Sequence, residues 1–521
     1  MGGTGEVAWD RETSPVATGD GEGEVPALDP FETVIGLEVH AQVLTSSKMF
    51  CGCPATYADS EPNTSTCPVC LGLPGAMPVM NARAVEQVLK TGLALGCDVP
   101  DANKQDRKSY FYPDLPKGYQ VSQYDLPLCV GGQLRFDSGG EERRAGITRV
   151  HMEEDTGRLL HRTGEDGSDV SLVDLNRSGV PLMEIVGEPD LRSPREARDY
   201  LEALRQVLRY AGVSTGNMEE GAFRCDANVS VRRTGDPEYG QKVEIKNLNS
   251  FSAVARALAF EENRQRRALS AGAAIPQETR GWVEDRGITV SQRTKEHAHD
   301  YRYFPEPDLP PLRATAEMVE RARAELPELP AVKRQRFVET MGLTPYLAGV
   351  LTAERSVADE FEVALRGDPA PARARAAANW IVNDLAGLAA ARGLPSNELP
   401  LSGGQLAELL DLLDEGAISG RAAKDLLLNL APAESPRAGA ARLGLLTLDD
   451  DVMIRDAVMA TMAAFPAAVQ DFRGGKQAAI GRLIGETIMR TGGRASPDAV
   501  RETLVSLLTG GAETDGAAPR R

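Results

Sequence analysis

The sequence predicts an α+β protein in which a mixed-sheet portion precedes an all-helical portion. From Phe31 to about Pro310, short strand patterns alternate with Gly/Pro turns and a few helical patterns. After Pro310 the chain is rich in Ala, Leu and Arg, with apolar residues at helical spacing. A chain of 521 residues is too long for a single hydrophobic core, so roughly two to four domains are expected.

The composition restricts the classes of function. Hydrophobic residues make up 42% and charged residues 26%, which is ordinary for a globular protein. We see no apolar run of membrane-span length and no basic, then apolar, N-terminal signal, so we expect a cytoplasmic protein without a membrane partner. A formal net charge of -18 argues against DNA and against non-specific nucleic-acid binding, but it permits a local basic patch.

The first strand pattern carries two polar side chains on one face. It covers residues 32–40, where the period-two alternation places Glu38 and His40 on one face and Leu37 and Val39 on the other. An acid and an imidazole that share a strand face are candidate ligands for a cation.

Two further strands, within residues 146–190, carry acids. Ile147–Met152 runs directly into Glu153 and Glu154, and Leu182–Val186 contains Glu184 between apolar residues. Carboxylates in such positions are costly to desolvate unless a cation or hydrogen bonds compensate them. Alone they could be solvated turn and sheet-surface residues.

Together with the first strand, these acids predict a hard-cation site. The predicted ligands are Glu38, His40, Glu154 and Glu184, with Glu153 as the alternative to Glu154 because alternation fails at a strand end. One imidazole among carboxylates suits Mg²⁺ or Mn²⁺ and is too poor in nitrogen and sulfur for zinc.

Four of the seven cysteines are clustered. Cys51, Cys53, Cys67 and Cys70 form a C-x-C…C-x-x-C pattern in a stretch rich in Pro and Gly. In a reducing compartment this spacing predicts a closed structural Zn²⁺ site. Free or transiently oxidised thiols are the alternative.

Residues 106–117 mix cations, aromatics and prolines. Arg107 and Lys108 could hold phosphate while a neighbouring aromatic ring stacks a base, and Arg149 is assigned to the same cofactor-binding set. The alternative is a rigid aromatic loop over a core. We find neither a P-loop nor a Rossmann glycine pattern, so any ATP would be bound in another way.

Helix signals complete the chain. One helix is predicted from Ser193 as N-cap to Tyr210, a second over Phe251–Ala268, and a third from Ser402 to near Gly416, whereas Pro432–Gly444 reads as a linker. Near the end of the chain, Arg473, Lys476, Arg490 and Arg494 concentrate positive charge that suits a phosphate backbone. A plain solvated helix face is the alternative.

Several long stretches resemble one enzyme family. They read FETVIGLEVH, DRKSYFYPDLPKGYQVSQYD, GITRVHMEED, SLVDLNRSGVPLMEIVGEPD, MEEGAFRCDANVSVR, EIKNLNSF, QETRGW and DYRYFPEPDLP. These motifs resemble the B subunits of tRNA-dependent amidotransferases, which act on Asp-tRNA(Asn) and Glu-tRNA(Gln). They span about Phe31 to Pro310. The helical portion matches more loosely, and the last basic stretch departs from the family by having less lysine.

The resemblance implies a domain organisation. It places a cradle-like catalytic domain, similar to glutamine synthetase and kinase folds, at residues 30–310 with the zinc loop at 51–70. A helical domain at 311–444 and a small helical tRNA-binding tail domain at 445–510 follow. Residues 1–29 and 511–521 are expected to be disordered tails.

The resemblance also implies a reaction and its partners. ATP and Mg²⁺ would phosphorylate the side-chain carboxylate of the misacylated residue, and ammonia from an amidase subunit would displace the phosphate. A small bridging subunit would complete a heterotrimer, and the cysteine quartet resembles the zinc-bearing branch of the family. A non-catalytic tRNA-binding scaffold with a structural zinc, or a stand-alone metal-dependent kinase of a small acid, are the competing hypotheses.

Overall fold

A computed structural model describes residues 30–164, 166–294, 301–367, 370–447 and 451–509. The two tails expected to be disordered, 1–29 and 511–521, lie outside the described residues. Within the described part, strands and helices occur as an α+β arrangement followed by helices alone.

The strands lie in the N-terminal portion, where they alternate with the first helices of the chain, and the all-helical region follows them. They are β1 Phe31–Gln42, β2 Asp106–Ser109, β3 Tyr119–Ser122, β4 Cys129–Val130, β5 Gln133–Ser138, β6 Glu141–Glu154, β7 Arg158–Thr163, β8 Asp169–Asp174, β9 Pro181–Gly187, β10 Phe223–Arg233, β11 Val243–Lys246, β12 Glu278–Val283, β13 Ile288–Thr294 and β14 Phe304–Pro305.

One large sheet dominates the N-terminal portion. In the described ranges it has nine strands in the order β13-β12-β11-β10-β1-β9-β6-β4, with β5 also paired to β6. Strand β1 lies in the middle and runs antiparallel to both β10 and β9. A smaller sheet, β14-β2-β3, and the hairpin β7-β8 complete the strands described.

Strand β1 has the two faces that its alternation predicts. Leu37 and Val39 are buried in the hydrophobic core, whereas Glu38 and His40 are only partly buried on the opposite face. The apolar face packs against helices, so the polar face is left to form a site.

Among the described residues of this portion, four α-helices occur: α1 Ala82–Ala94, α2 Pro194–Tyr210, α3 Phe251–Ser270 and α4 Ala316–Ala324. Helix α2 begins as predicted, because the Ser193 side chain accepts a hydrogen bond from the Glu196 backbone N–H and proline occupies the first turn. Helix α3 confirms the second prediction and extends it to Ser270. Both helices contribute buried residues to the core beneath the sheet.

The remaining helices follow in chain order. They are α5 Pro330–Met341, α6 Pro345–Leu351, α7 Arg355–Leu365, α8 Pro371–Asn379, a π-helical segment Trp380–Leu385, α9 Ala386–Ala391, α10 Gly403–Asp414, α11 Gly420–Asn429, α12 Pro436–Arg442, α13 Asp451–Ala464, α14 Pro466–Arg473, α15 Ala479–Arg490 and α16 Pro497–Thr509.

The third predicted helix is confirmed, but the predicted linker is wrong. Helix α10 begins after Ser402, which forms a reciprocal capping box with Gln405. The stretch expected as a linker, Pro432–Gly444, contains helix α12, whose Pro436 and Ala440 are buried. Small residues allow this helix to pack closely, so an Ala/Pro/Gly composition was a poor guide to a linker here.

Three hydrophobic clusters divide the described chain. The first includes residues from Ile35 to Ala322, the second from Phe337 to Ala440, and the third from Ile454 to Leu508. Helix α4 contributes to the first cluster, so that core extends past the predicted boundary at residue 310. No single helix among the described residues combines the length and hydropathy of a membrane span; α13 and α14 do so only as a pair bent by 94°.

Candidate active site

The polar face of the large sheet brings together two carboxylates and two imidazoles. His40 Nε2 lies 3.5 Å from Glu153 Oε2 and 3.6 Å from Glu184 Oε2. On the other side of the acids, His151 Nε2 lies 3.2 Å from Glu184 Oε2 and 3.5 Å from Glu153 Oε1. We call these four residues the acid–imidazole cluster.

Strand register explains the cluster. His40 on β1 pairs with Glu184 on β9, and Glu184 pairs in turn with His151 on β6. Side chains two residues apart on a strand share a face, so Glu153 lies on the same side as His151. Three strands that are distant in sequence therefore supply neighbouring side chains.

Burial and charge determine the ionisation of the cluster. Burial alone would raise the pKa of Glu184, but the imidazoles and Lys108 hold it well below its usual range. Burial alone would lower the pKa of His151, but the charges of Glu184 and Glu153 raise it to about 9. The electrostatics thus favour an ionised Glu184 beside a protonated His151, with the Lys108 ammonium nearby.

The structure corrects the choice between the two adjacent glutamates. Glu153 joins the cluster, where Ser122 Oγ donates to its Oε1 at 2.7 Å and Gln120 Nε2 to its Oε2 at 3.2 Å. Glu154 points to the other face of β6, where it pairs with Lys117 and accepts a 2.9 Å hydrogen bond from the Val121 backbone N–H. The strand continues through Glu154, so alternation holds to its end.

Glu38 lies on the cluster's face but not in the cluster. It pairs with Val186 on one side and Asp226 on the other, two residues along β1 from His40. Its carboxylate accepts a 2.9 Å hydrogen bond from Asn228 Nδ2. The predicted ligands His40 and Glu184 therefore meet, whereas Glu38 extends the polar face along β1.

The three cations predicted to bind phosphate lie in different surroundings. Arg107 turns away and forms a two-pronged pair with Glu306, at 2.7 Å from Nε and 2.6 Å from Nη2. Lys108 faces the acids: burial would lower its pKa, and Glu153 and other neighbours raise it instead. Arg149 pairs with Val186, and its buried Nε has no hydrogen-bond partner among the described residues.

The donor set fits a hard divalent cation. Ligand atoms of His40, Glu153 and Glu184 all lie within 4.8 Å of one another. Ligands around Mg²⁺ at about 2.1 Å are separated by roughly 3 to 4 Å, and carboxylate oxygens are its preferred donors. These three side chains therefore fit Mg²⁺ both in the chemistry of their donor atoms and in the spacing between those atoms.

The cysteine quartet forms a second group of converging ligands. The sulfurs of Cys51, Cys53, Cys67 and Cys70 lie within 4.8 Å of one another, and those of Cys67 and Cys70 are 3.9 Å apart. Tetrahedral zinc with sulfur at about 2.3 Å requires sulfurs roughly 3.8 Å apart. The hydrogen bond from Cys51, with the charge of Lys48, lowers the pKa of Cys70 to about 5. Four sulfurs without an open position fit a structural ion.

Comparisons with known protein families identify the family of this chain. A model described as the GatB/GatE catalytic domain matches residues 33–320, and one described as the GatB domain matches residues 359–508. The chain belongs to the GatB/GatE family.

Its relatives in this family cover almost the whole chain. It is 56% identical to the B subunit of the aspartyl/glutamyl-tRNA(Asn/Gln) amidotransferase of Thermomicrobium roseum, over 92% of this chain and 99% of that protein. Proteins of the same name from Moorella thermoacetica and Carboxydothermus hydrogenoformans are 51% and 49% identical, over 92% of this chain and 100% and 99% of theirs.

In this GatB-family chain, sequence reasoning missed His151. The signal was present, because the alternation that places Glu153 on a face also places His151 and Arg149 on it. Sequence reasoning also missed an ion pair to the buried Asp155, in which Arg224 Nη2 donates to Asp155 Oδ1 at 2.9 Å and Gln42 Nε2 donates to Asp155 Oδ2 at 2.8 Å.

The four C-terminal basic residues form two separated pairs. Arg473 ends α14 and Lys476 follows it, whereas Arg490 ends α15 and Arg494 lies in the next turn. Helix α15 has 12 residues, so the pairs lie at opposite ends of about 18 Å of helix. Lys476 Nζ lies 2.9 Å from Asp471 Oδ1, whereas Arg490 is exposed.

Proposed function

We propose that this chain carries the ATP-dependent step of a tRNA-dependent amidotransferase, a ligase that forms a carbon–nitrogen bond in protein biosynthesis. The substrate is glutamate misacylated on tRNA(Gln), aspartate misacylated on tRNA(Asn), or both. The observation that carries the proposal is the acid–imidazole cluster, in a chain whose relatives bear the name of that enzyme's B subunit.

The reaction needs activation because a carboxylate is a poor acyl donor. The substrate's carboxylate oxygen attacks the γ-phosphorus of ATP, and ADP leaves with the bond's electrons. Ammonia then attacks the acyl carbon of the acyl phosphate, inorganic phosphate leaves, and nitrogen loses a proton to give the amide. Positioning and charge neutralisation provide most of the catalysis of such phosphoryl transfers.

Side chains of the cluster suit those two tasks. His40, Glu153 and Glu184 would hold Mg²⁺, and the ion would supply positive charge that neutralises the transferring phosphoryl group. Ser122 and Gln120 fix the carboxylate of Glu153 through hydrogen bonds.

Two cations complete the site. His151 orients Glu184 from the side opposite His40. Lys108, with its raised pKa, supplies a fixed positive charge next to the acids. Arg149 lies on β6 with His151, and its buried Nε has no hydrogen-bond partner among the described residues. We therefore retain it as a candidate for ATP binding.

Three further components belong to the proposal. An amidase subunit releases ammonia from glutamine, and a small bridging subunit joins the two in a heterotrimer; the naming of the relatives as B subunits supports an assembly of several chains. The cysteine quartet holds a structural Zn²⁺. Residues 445–510 bind the tRNA, and their basic side chains contact its phosphates.

The test is ATP turnover by the reconstituted complex, with and without each misacylated tRNA. We expect ADP formation coupled to Gln-tRNA(Gln) or Asn-tRNA(Asn), and loss of both products in His40→Ala and Glu184→Gln. Glutamine hydrolysis by the amidase in the same variants reports that the complex has assembled. Full amide formation by both variants would refute the proposal and favour a tRNA-binding scaffold.

A further inference from the structure

A row of tyrosines lies beside the cluster. Tyr124 and Tyr303 stack with centroids 4.4 Å apart and planes 14° apart, and Tyr303 lies 6.2 Å from Tyr301. The row continues from Tyr301 to Tyr110 at 6.5 Å and from Tyr110 to Tyr112 at 5.9 Å. We call these five rings the tyrosine row.

The row is accessible at both ends. Tyr124 is 47% exposed and Tyr112 is 49% exposed, and the adjacent Phe111 is 82% exposed. Exposed aromatic side chains are costly in water unless something covers them. A rigid loop over a core would bury such rings, so this alternative from the sequence accounts poorly for the row.

Lys108 joins the row to the acid–imidazole cluster. Its Nζ lies 5.3 Å from the centroid of the Tyr301 ring, and its charge interacts with those of Glu153 and Glu184. A ligand stacked on the rings would therefore have its phosphates close to a fixed cation and its reactive end close to the acids.

We propose that the tyrosine row binds the unpaired 3′ end of the tRNA and thereby directs the aminoacyl group to the cluster. This inference rests on the proposed function and adds a subsite to it. Bases that leave their own stack are commonly received by aromatic side chains, which tolerate any base because every base has a π face.

The number of rings favours a nucleic-acid strand over a single nucleotide. One adenine of ATP needs one ring or a two-sided slot, whereas five successive rings offer places for several consecutive bases. The rings come from three separate segments of the chain, and Lys108 adds positive charge at the middle ring. An extended strand with a phosphate backbone matches both features.

The test compares tRNA(Gln) with the same tRNA lacking its last three nucleotides, bound to the reconstituted complex. In the unmodified complex, truncation should weaken binding by at least about fivefold, since one stacked base contributes about that much or more. In the double variant Tyr112→Ala and Tyr124→Ala, which removes the two exposed end rings, truncation should weaken binding much less than it does in the unmodified complex.

Two control variants test whether the aromatic faces of Tyr112 and Tyr124 are responsible for the preference. Tyr112→Phe with Tyr124→Phe keeps the aromatic faces and should retain the preference for intact tRNA. Tyr346→Ala removes an exposed tyrosine of helix α6, which lies in the second hydrophobic cluster's region, and should also retain it. Loss of the preference in either control would overturn the proposal.

Three other outcomes would also overturn it. In the first, the alanine double variant keeps the full preference for intact tRNA. In the second it shows only a raised KM for ATP, and in the third it no longer co-purifies with its partner subunits. The second outcome assigns the rings to the nucleotide and the third to a protein interface. The assay measures tRNA binding and involves no phosphoryl transfer. Its result can therefore be interpreted even if His40→Ala shows that the proposed phosphorylation is wrong.

Discussion

His40 and Glu184 face each other across the β1–β9 pair, with Nε2 and Oε2 3.6 Å apart. The two residues are far apart in the sequence, and they meet because antiparallel pairing sets both side chains on the polar face of the sheet. Glu153 approaches His40 to 3.5 Å from the next strand but one.

Glu153 and Glu154 should respond differently to the same change. Glu153→Gln removes a charge from the cluster, and we expect amide formation to fall at least about 100-fold. Glu154→Gln leaves Lys117 without its buried partner, so we expect a loss of about 3 kcal/mol in unfolding free energy. Kinetics and denaturant titration measure the two effects.

Glu188 provides the control for this pair, since it is exposed just beyond β9 and its carboxylate accepts a hydrogen bond from the exposed Thr148. Glu188→Gln should leave rate and stability unchanged. If Glu154→Gln lost the reaction at full stability, the assignment of Glu153 to the site would be wrong.

Lys108 and Arg107 form a second contrasting pair. Lys108→Met removes the cation that faces the acids, so we expect a large fall in kcat for ATP turnover without a comparable loss of stability. Arg107→Met breaks the pair with buried Glu306 and should cost about 3 kcal/mol of unfolding free energy. Normal kcat in the Lys108 variant would contradict the role given to this residue.

The cysteine quartet should retain metal. Elemental analysis of protein purified without a chelator should give about one zinc per chain. Cys67→Ser should lose this zinc and lower the melting temperature, and Cys97→Ser, a buried cysteine outside the quartet, should keep it. A chain free of zinc, with an unaltered melting temperature in Cys67→Ser, would refute the metal site.

Salt dependence should reveal the phosphate contacts of the tail helices. Replacing Arg473, Lys476, Arg490 and Arg494 with alanine should raise the KM for tRNA and flatten its dependence on salt, by about 0.7 to 0.9 in log–log slope per lost contact. Glutamine hydrolysis without tRNA should be unchanged.

Because the two basic pairs lie at opposite ends of α15, each pair replaced alone should produce part of the effect. Arg421→Ala, at an exposed arginine of α11, is the matched control. Equal tRNA KM values and equal salt slopes in the quadruple variant would exclude contacts by these four residues.

The sequence by itself determined the features that depend on local spacing. The alternation in β1 placed Glu38 and His40 on one face, Ser193 and Ser402 began their helices, and the C-x-C…C-x-x-C pattern grouped four sulfurs. Each of these follows from a strand period, a capping hydrogen bond or a short chain distance, and none needs a distant partner.

Tertiary structure decided which of these groups meet. Pairing between β1, β9 and β6 placed His151 and Glu153 beside His40 and Glu184 in the cluster. Pairing of β2 with β3 and β14 placed Arg107 beside Glu306 and assembled rings from positions 110, 124 and 301 into one row. The physical reason is that contacts between strands distant in sequence depend on register and sheet order, whereas spacing along one strand fixes only the face.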